Sequence, residues 1–213
     1  GLSIALPPAP PDLPPLDHDA LASEFGTALD SFLDGWRDAN VPVILATPAS
    51  DLWHWFPDTP VCPEVSRPLW KIASNGRWAL KAKVAATVAE QLHAAAPGCP
   101  ETAFAWGRSQ YAAGDIPEGL RLLREARDAE PLPYRANTTI LTTIRARADR
   151  PGVTLVDVEE AWGNAGPGVE ARFHDLVHLE ATGHADMADT LAPALAEVLQ
   201  GWTPATRSPH LPR

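Results

Sequence analysis

Only two stretches of this chain have the character of β-strands, and they lie far apart in its 213 residues. The first is "VPVILATP", an apolar and β-branched run over 41–47 bounded by Asn40 and Pro48. The second opens "GVTLVDVEEAW" and covers 153–158. Continuous apolar runs of this length belong to strands covered on both faces of a parallel sheet. Each follows a stretch with helical periodicity, so the order helix-strand, helix-strand predicts an α/β architecture. Two strands alone do not make a stable sheet of that kind. The pattern therefore asks for further strands, from elsewhere in this chain or from another one.

Ahead of the first strand, "DHDALASEFGTALDSFLDGWRDAN" repeats apolar residues at helical spacing. Leu21, Phe25, Leu29, Phe32, Leu33 and Trp36 share a face, Asp17 and Asp19 suit the helix N-terminus, and the helix should stop near Asn40. The preceding "LPPAPPDLPPLD" has six prolines in twelve positions, which removes backbone donors and favours extended polyproline II, so 1–16 reads as an arm. Between the strands, 68–148 is mostly helical. Within it "AFAWGRSQYAAGDIPEGLRLLREARDAEP" sets Gly107, Gly114, Gly119, Ala126 and Pro131 at offsets that resemble one tetratricopeptide repeat turning at "GD". Gly119 stands where such repeats usually have Ala. The charged face of "RLLREARDAE" reads as solvated surface with intrahelical pairs such as Arg124 with Asp128. One repeat does not stack into a solenoid, so the expected organisation is an α/β part over 17–66 and 134–203, a helical insertion over 67–133 and a tail over 204–213.

Charge narrows the choice of partners. With 17 basic against 27 acidic residues and a net charge of −10, the chain is poorly suited to nucleic acid or an anionic membrane surface, which positive potential gathers. No apolar run approaches the roughly 18 residues needed to span a bilayer. Cys62 and Cys99 are compatible with one disulfide or with two buried thiols.

Chemistry concentrates in "RFHDLVHLEATGHADMADTLAPAL", where His174, Asp175, His178 and His184 precede a patterned helix. That helix should start at Ala181 or Thr182 and bury Ala185, Met187, Ala188, Leu191, Leu195 and Val198. His174 and His178, four apart, with His184 as a third, have zinc-ligand character if the segment is helical. No Glu completes an H-E-x-x-H arrangement, and Gly183 argues against unbroken helix, so the expectation is that no metal is held. Asp175 and His178 instead match the needs of a hydrolytic triad, in which a base accepts the nucleophile's proton and a carboxylate fixes the base's tautomer. Trp53 and Trp55, in "SDLWHWFPDTP" beyond the first strand, either bury that loop against the helical block or line a substrate pocket, because α/β sheets place ligands at strand C-terminal ends.

The residues "TLVDVEEAW … FHDLVHLEATGHADMADTLAPAL" resemble the C-terminal part of the SGNH (GDSL-type) hydrolases, whose last block is Asp-x-x-His before the final helix. "VPVILATPASDL" is similar to the penultimate strand of that fold, and the repeat-like unit resembles members with helical repeats inside the hydrolase domain. The resemblance implies a flavodoxin-like three-layer parallel sheet, with the two strands here as its fourth and fifth and a helical insertion between them. It makes His178 the base and Asp175 its orienting carboxylate in ester hydrolysis or acyl transfer through a serine acyl-enzyme, without metal or other cofactor. The family's Gly-Asp-Ser nucleophile block and its Gly and Asn oxyanion blocks are missing. Ser3 in "GLS" follows no strand, and Gly163 to Ala165 follows the wrong one. The expected partners are thus a small ester and an N-terminal half or separate chain that supplies the serine, unless 2–6 makes a substitute edge strand. The rival reading is a non-catalytic binding module that recruits a protein through the helical insertion.

Overall fold

The computed structural model describes residues 17–53, 62, 79–130, 134–163 and 171–202. Helix α1, His18–Asp38, starts where the Asp17 carboxylate accepts a hydrogen bond from the Ala20 amide at 2.9 Å, the usual service of an N-cap aspartate. It ends before Asn40, whose φ of 56° turns the chain into β1, Val43–Ala46. Then come α2, Ala79–Ala95, α3, Pro100–Ala112, α4, Ile116–Asp128, and α5, Thr138–Arg145. Strand β2, Val153–Val156, leads at once into the short α6, Val158–Gly163, and the chain closes with α7, Ala181–Gly201.

β1 and β2 pair in parallel, with Val43 opposite Val153 and Ala46 opposite Val156. The two runs read as strands are therefore strands and neighbours, each trimmed to four residues. The expected three-layer parallel sheet is not what they build. Among the described residues there are two short strands against seven helices, so the architecture is mostly helical and the α/β assignment is corrected. Apolar runs over-represented the sheet, because they mark a strand's faces as sticky without saying how many strands will cover them. All eight strand residues are only half-buried. Residues 2–6, proposed as a substitute edge, lie outside the described residues.

The densest packing is in the helical block. The turn after α3 passes through Ala113 and Gly114, the latter at a φ of 94° that favours glycine. The crossing it permits is so close that a Cβ at Gly119 would lie 2.7 Å from the Tyr111 amide nitrogen. Gly119 is thus demanded by the contact, and the Ala that repeats usually have there would not fit. Ala103, Phe104, Leu122, Leu123 and Ala126 lie buried at this crossing, while Ala89 of α2 meets Ala105 of α3 in a second cluster. Pro131 falls outside the described residues.

Buried charge fastens this block to the strand ends. Glu159, at the start of α6, accepts from Arg124 at 3.0 Å and from Arg145 at 2.7 Å, with Arg127 at 3.4 Å. Arg145 also grips Asp157 at 2.6 Å, and Thr47, just past β1, donates to the same aspartate at 2.8 Å. The Arg145 hydrogen bond is the main reason the Asp157 carboxyl sits below its ordinary range. Arg135 pairs with Glu130 at 2.5 Å and donates to the Asp51 carbonyl at 2.7 Å. Arg124 does not pair with Asp128 as expected from spacing, and Arg127 and Glu130 are buried. The "RLLREARDAE" segment is a solvated face only at Arg121, which bridges Glu118 and Glu125 within α4.

The two long helices depart from their expected faces. Ala22, Gly26 and Leu33 are the buried line of α1, while Leu21 and Phe32 are exposed. In α7 only Gly183 is buried, Met187 leans on the cluster of Val158, Trp162 and Phe173, and Ala185, Ala188 and Leu195 face outward. Cys62 and Cys99 are bonded, with Cα atoms 6.1 Å apart, which resolves the two options that the sequence left open.

Candidate functional site

Residues 171–180 fold back on themselves as a small hairpin. The Glu180 amide donates to the Arg172 carbonyl at 2.8 Å and the His174 amide to the His178 carbonyl at 2.7 Å, with Phe173 opposite Leu179 in an antiparallel bridge. Alternation along a strand then divides the side chains. Phe173 is buried edge-to-face against Trp162, 6.0 Å between centroids, and Leu179 packs with it. His174, His178 and Glu180 project from the opposite, exposed side.

The hairpin is held at three places. The Asp51 amide, in the segment after β1, donates to the Leu176 carbonyl at 3.0 Å, and Leu176 packs against Leu52 and Phe104. The Arg172 guanidinium lies 5.0 Å from the Trp162 ring centroid and donates to Asp186 of α7 at 2.5 Å. Finally, the Arg172 carbonyl sits so close to Gly183 that any Cβ there would overlap it. Gly183 does not break α7, which runs from Ala181 through it. It makes room for the hairpin against the helix's first turn.

Within the tip, Asp175 satisfies three donors. Its Oδ1 accepts from the Val177 amide at 2.9 Å and the His178 amide at 2.8 Å, and its Oδ2 lies 2.8 Å from the His178 Nδ1. Partial burial works against the charged form, but the two amides and the imidazole outweigh it and hold this carboxyl at about 2. An ionised acceptor at Nδ1 selects the tautomer with its proton on Nδ1, which leaves the Nε2 lone pair available. The His178 side chain is 77% exposed, so Nε2 is open to a reactant. Such an imidazole can take a proton from an approaching hydroxyl and return it to a leaving group.

The structure thus brings together the two residues expected to act together, beyond the C-terminal end of β1. Trp53 sits one layer away: it shares with Leu176 the cluster of Leu52 and Phe104, stacks edge-to-face on Tyr111 at 5.1 Å, and lies under Arg108 at 4.7 Å. It also borders an apolar recess with Leu120, Trp162 and Phe173. Trp55 and Ser3 lie outside the described residues. Among the described residues no hydroxyl hydrogen-bonds to His178. The helical three-histidine arrangement does not form, since His174 pairs with Glu180 at 2.8 Å and His184 belongs to the first turn of α7. Among the described residues the one group of three ligand-type side chains is Cys62, Cys99 and Glu101, whose two sulfurs are bonded to each other.

The His174–Glu180 pair and the role of Gly183 escaped the sequence reading. A signal existed in the mirrored order Arg172-Phe173-His174 and His178-Leu179-Glu180 around a short turn, polar-apolar-polar on both arms. No protein-family model matches the chain, and no curated protein or solved structure matches it either.

Proposed function

We propose that Asp175 and His178 are the carboxylate and base of a serine-dependent ester hydrolase or acyl transferase of SGNH type, acting on a small ester. One observation supports this reading above the rest: Nδ1 of His178 is 2.8 Å from an ionised Asp175 while the ring stands open to solvent. In the reaction, His178 Nε2 takes the proton of the serine hydroxyl as that oxygen attacks the ester carbonyl, then gives it to the departing alkoxide. A water repeats the sequence on the acyl-enzyme. Asp175 keeps the ring in place and stabilises the imidazolium.

The serine comes from outside the described residues, on an N-terminal half or a partner chain. In keeping with this, β1 has one neighbour among the described residues, and parallel pairing turns the amides of Ile44 and Ala46 toward its other edge. The net charge of −10 fits a small uncharged ester better than a nucleic acid or an anionic membrane. No helix among the described residues is long and apolar enough to cross a membrane.

This chain alone should hydrolyse p-nitrophenyl acetate no faster than its free imidazoles do. Joined to the partner that supplies the serine, it should be labelled by a fluorophosphonate, and both H178A and D175N should lose the label at least about a hundredfold. Labelling that is indifferent to both variants would remove the hydrolase reading. The second reading, a binding module, rests on the shallow surface along α4 beside the start of α5, bordered by Pro117, Arg121, Glu125 and Thr138. Loss of partner capture in an R121E variant, with no fluorophosphonate labelling of any assembly, would favour it.

A further inference from the structure

His174 and His178 face each other across the hairpin. Their backbones are joined by the 2.7 Å bond from the His174 amide to the His178 carbonyl, and residues opposite one another in an antiparallel pair present side chains on the same face, with Cβ atoms about 5 Å apart. Each ring uses Nδ1 in the same manner, His174 toward Glu180 and His178 toward Asp175, both at 2.8 Å. Both side chains are more than half exposed. The two imidazoles are therefore placed on one face of the hairpin, each held by a carboxylate at Nδ1 and each more than half exposed.

A carboxylate at one ring nitrogen raises the basicity of the other and fixes its direction, which is how metal-binding histidines are commonly supported. From this we propose that Nε2 of His174 and Nε2 of His178 form a surface site for a borderline-soft divalent cation such as Zn²⁺, with solvent completing the coordination. Helical spacing argued against a metal here because it called for a Glu in H-E-x-x-H and for an unbroken helix across Gly183. The hairpin needs neither. The site is not structural, since the hairpin is already closed by its own backbone bonds. If His178 is the base proposed above, the cation occupies the lone pair that must accept the proton, so metal binding and catalysis exclude each other.

Calorimetric titration of the intact chain with ZnCl₂, in a buffer free of chelators and phosphate, should give one Zn²⁺ per chain. H174A and H178A should each weaken it by at least about tenfold, because even the supporting carboxylates are worth about 10–100-fold in affinity. E180Q and D175N should weaken it less, and H184A should leave it unchanged. The ring Cε1–H resonances of His174 and His178 should shift together on addition of Zn²⁺. Affinity undiminished in H174A or H178A, or reduced equally by H184A, would overturn the proposal. The fluorophosphonate experiment does not depend on this titration, so loss of the hydrolase reading would leave the metal site standing, and the converse also holds.

Discussion

The helical block and the strand-bearing region solve the same problem to different degrees. Where α3 crosses α4, Ala103, Phe104, Leu122 and Ala126 are no more than 1% exposed. Beside the sheet, every strand residue is half-exposed, α1 turns Phe32 to solvent at 53%, and α7 shows Ala188, Ala192, Leu195 and Leu199 along one outer stripe. A helix that is apolar on more than one side is normally covered on more than one side. The helical block packs a close interior, while the sheet and its two flanking helices leave apolar surface that the described residues do not cover. The candidate site lies where the two regions meet, fastened to one by Leu176 and to the other by Phe173 and Gly183.

The largest test of this contrast is a pair of phenylalanine truncations. Phe104→Ala should cost about 3–5 kcal/mol, the range for emptying a close-packed site, whereas Phe32→Ala should change stability by no more than about 0.5 kcal/mol. Urea denaturation followed by tryptophan fluorescence measures both, and equal losses would erase the distinction between the regions.

Next in size is the disulfide, which ties the chain beyond β1 to the start of α3 across a separation of 37 residues. Loop-closure entropy puts its loss in a C62S/C99S variant at up to about 4 kcal/mol. The double variant should fall in thermal midpoint under conditions in which the wild-type bond stays oxidised. An unchanged midpoint would mean that the bond does not constrain the unfolded chain.

The two crowded glycines sharpen the comparison at smaller cost. Gly119→Ala should destabilise by about 1–3 kcal/mol through overpacking at the α3–α4 crossing. Gly183→Ala meets a carbonyl in a less tightly packed region, so the hairpin should shift off α7. The expected signature is a changed His178 ring resonance, with a smaller stability loss than Gly119→Ala. The reverse ranking would place the tighter constraint at the sheet end.

At the hairpin, acid should act through Asp175. Asp175 has its carboxyl at about 2, below its ordinary 3.8. Its ionised form therefore stabilises the tip fully above about pH 4, and that contribution is lost as pH falls through about 2. Protection factors for amide exchange at Val177 and His178, which remove the intrinsic pH dependence of exchange, should fall over that interval in the wild type and stay constant there in D175N. The smallest expected effect is that of a chelator, which should leave the thermal midpoint where it was, because no fold contact depends on a cation at His174 and His178.

Local features of this chain were decided by its sequence. The strand runs, the start of α1 at Asp17, the turn at Gly114 and the Asp175–His178 spacing all express preferences that act within a few residues: β-branching, a capping carboxylate, a positive φ, a side chain reaching three positions along. Tertiary structure decided whatever depended on a distant neighbour. Arg124 has an eligible aspartate four residues away and still reaches to Glu159, because burying Glu159 is tolerable only with cations around it. Gly119 and Gly183 are ordinary glycines in the sequence, and only the backbone atoms of Tyr111 and Arg172 make them necessary. The apolar faces of α1 and α7 were legible as stripes, but a stripe does not say what covers it, and one flank of each is left outward. His174 and His178 would share a face in a helix by their i, i+4 spacing; here they do so because the chain folds back at Asp175 and pairs its two arms.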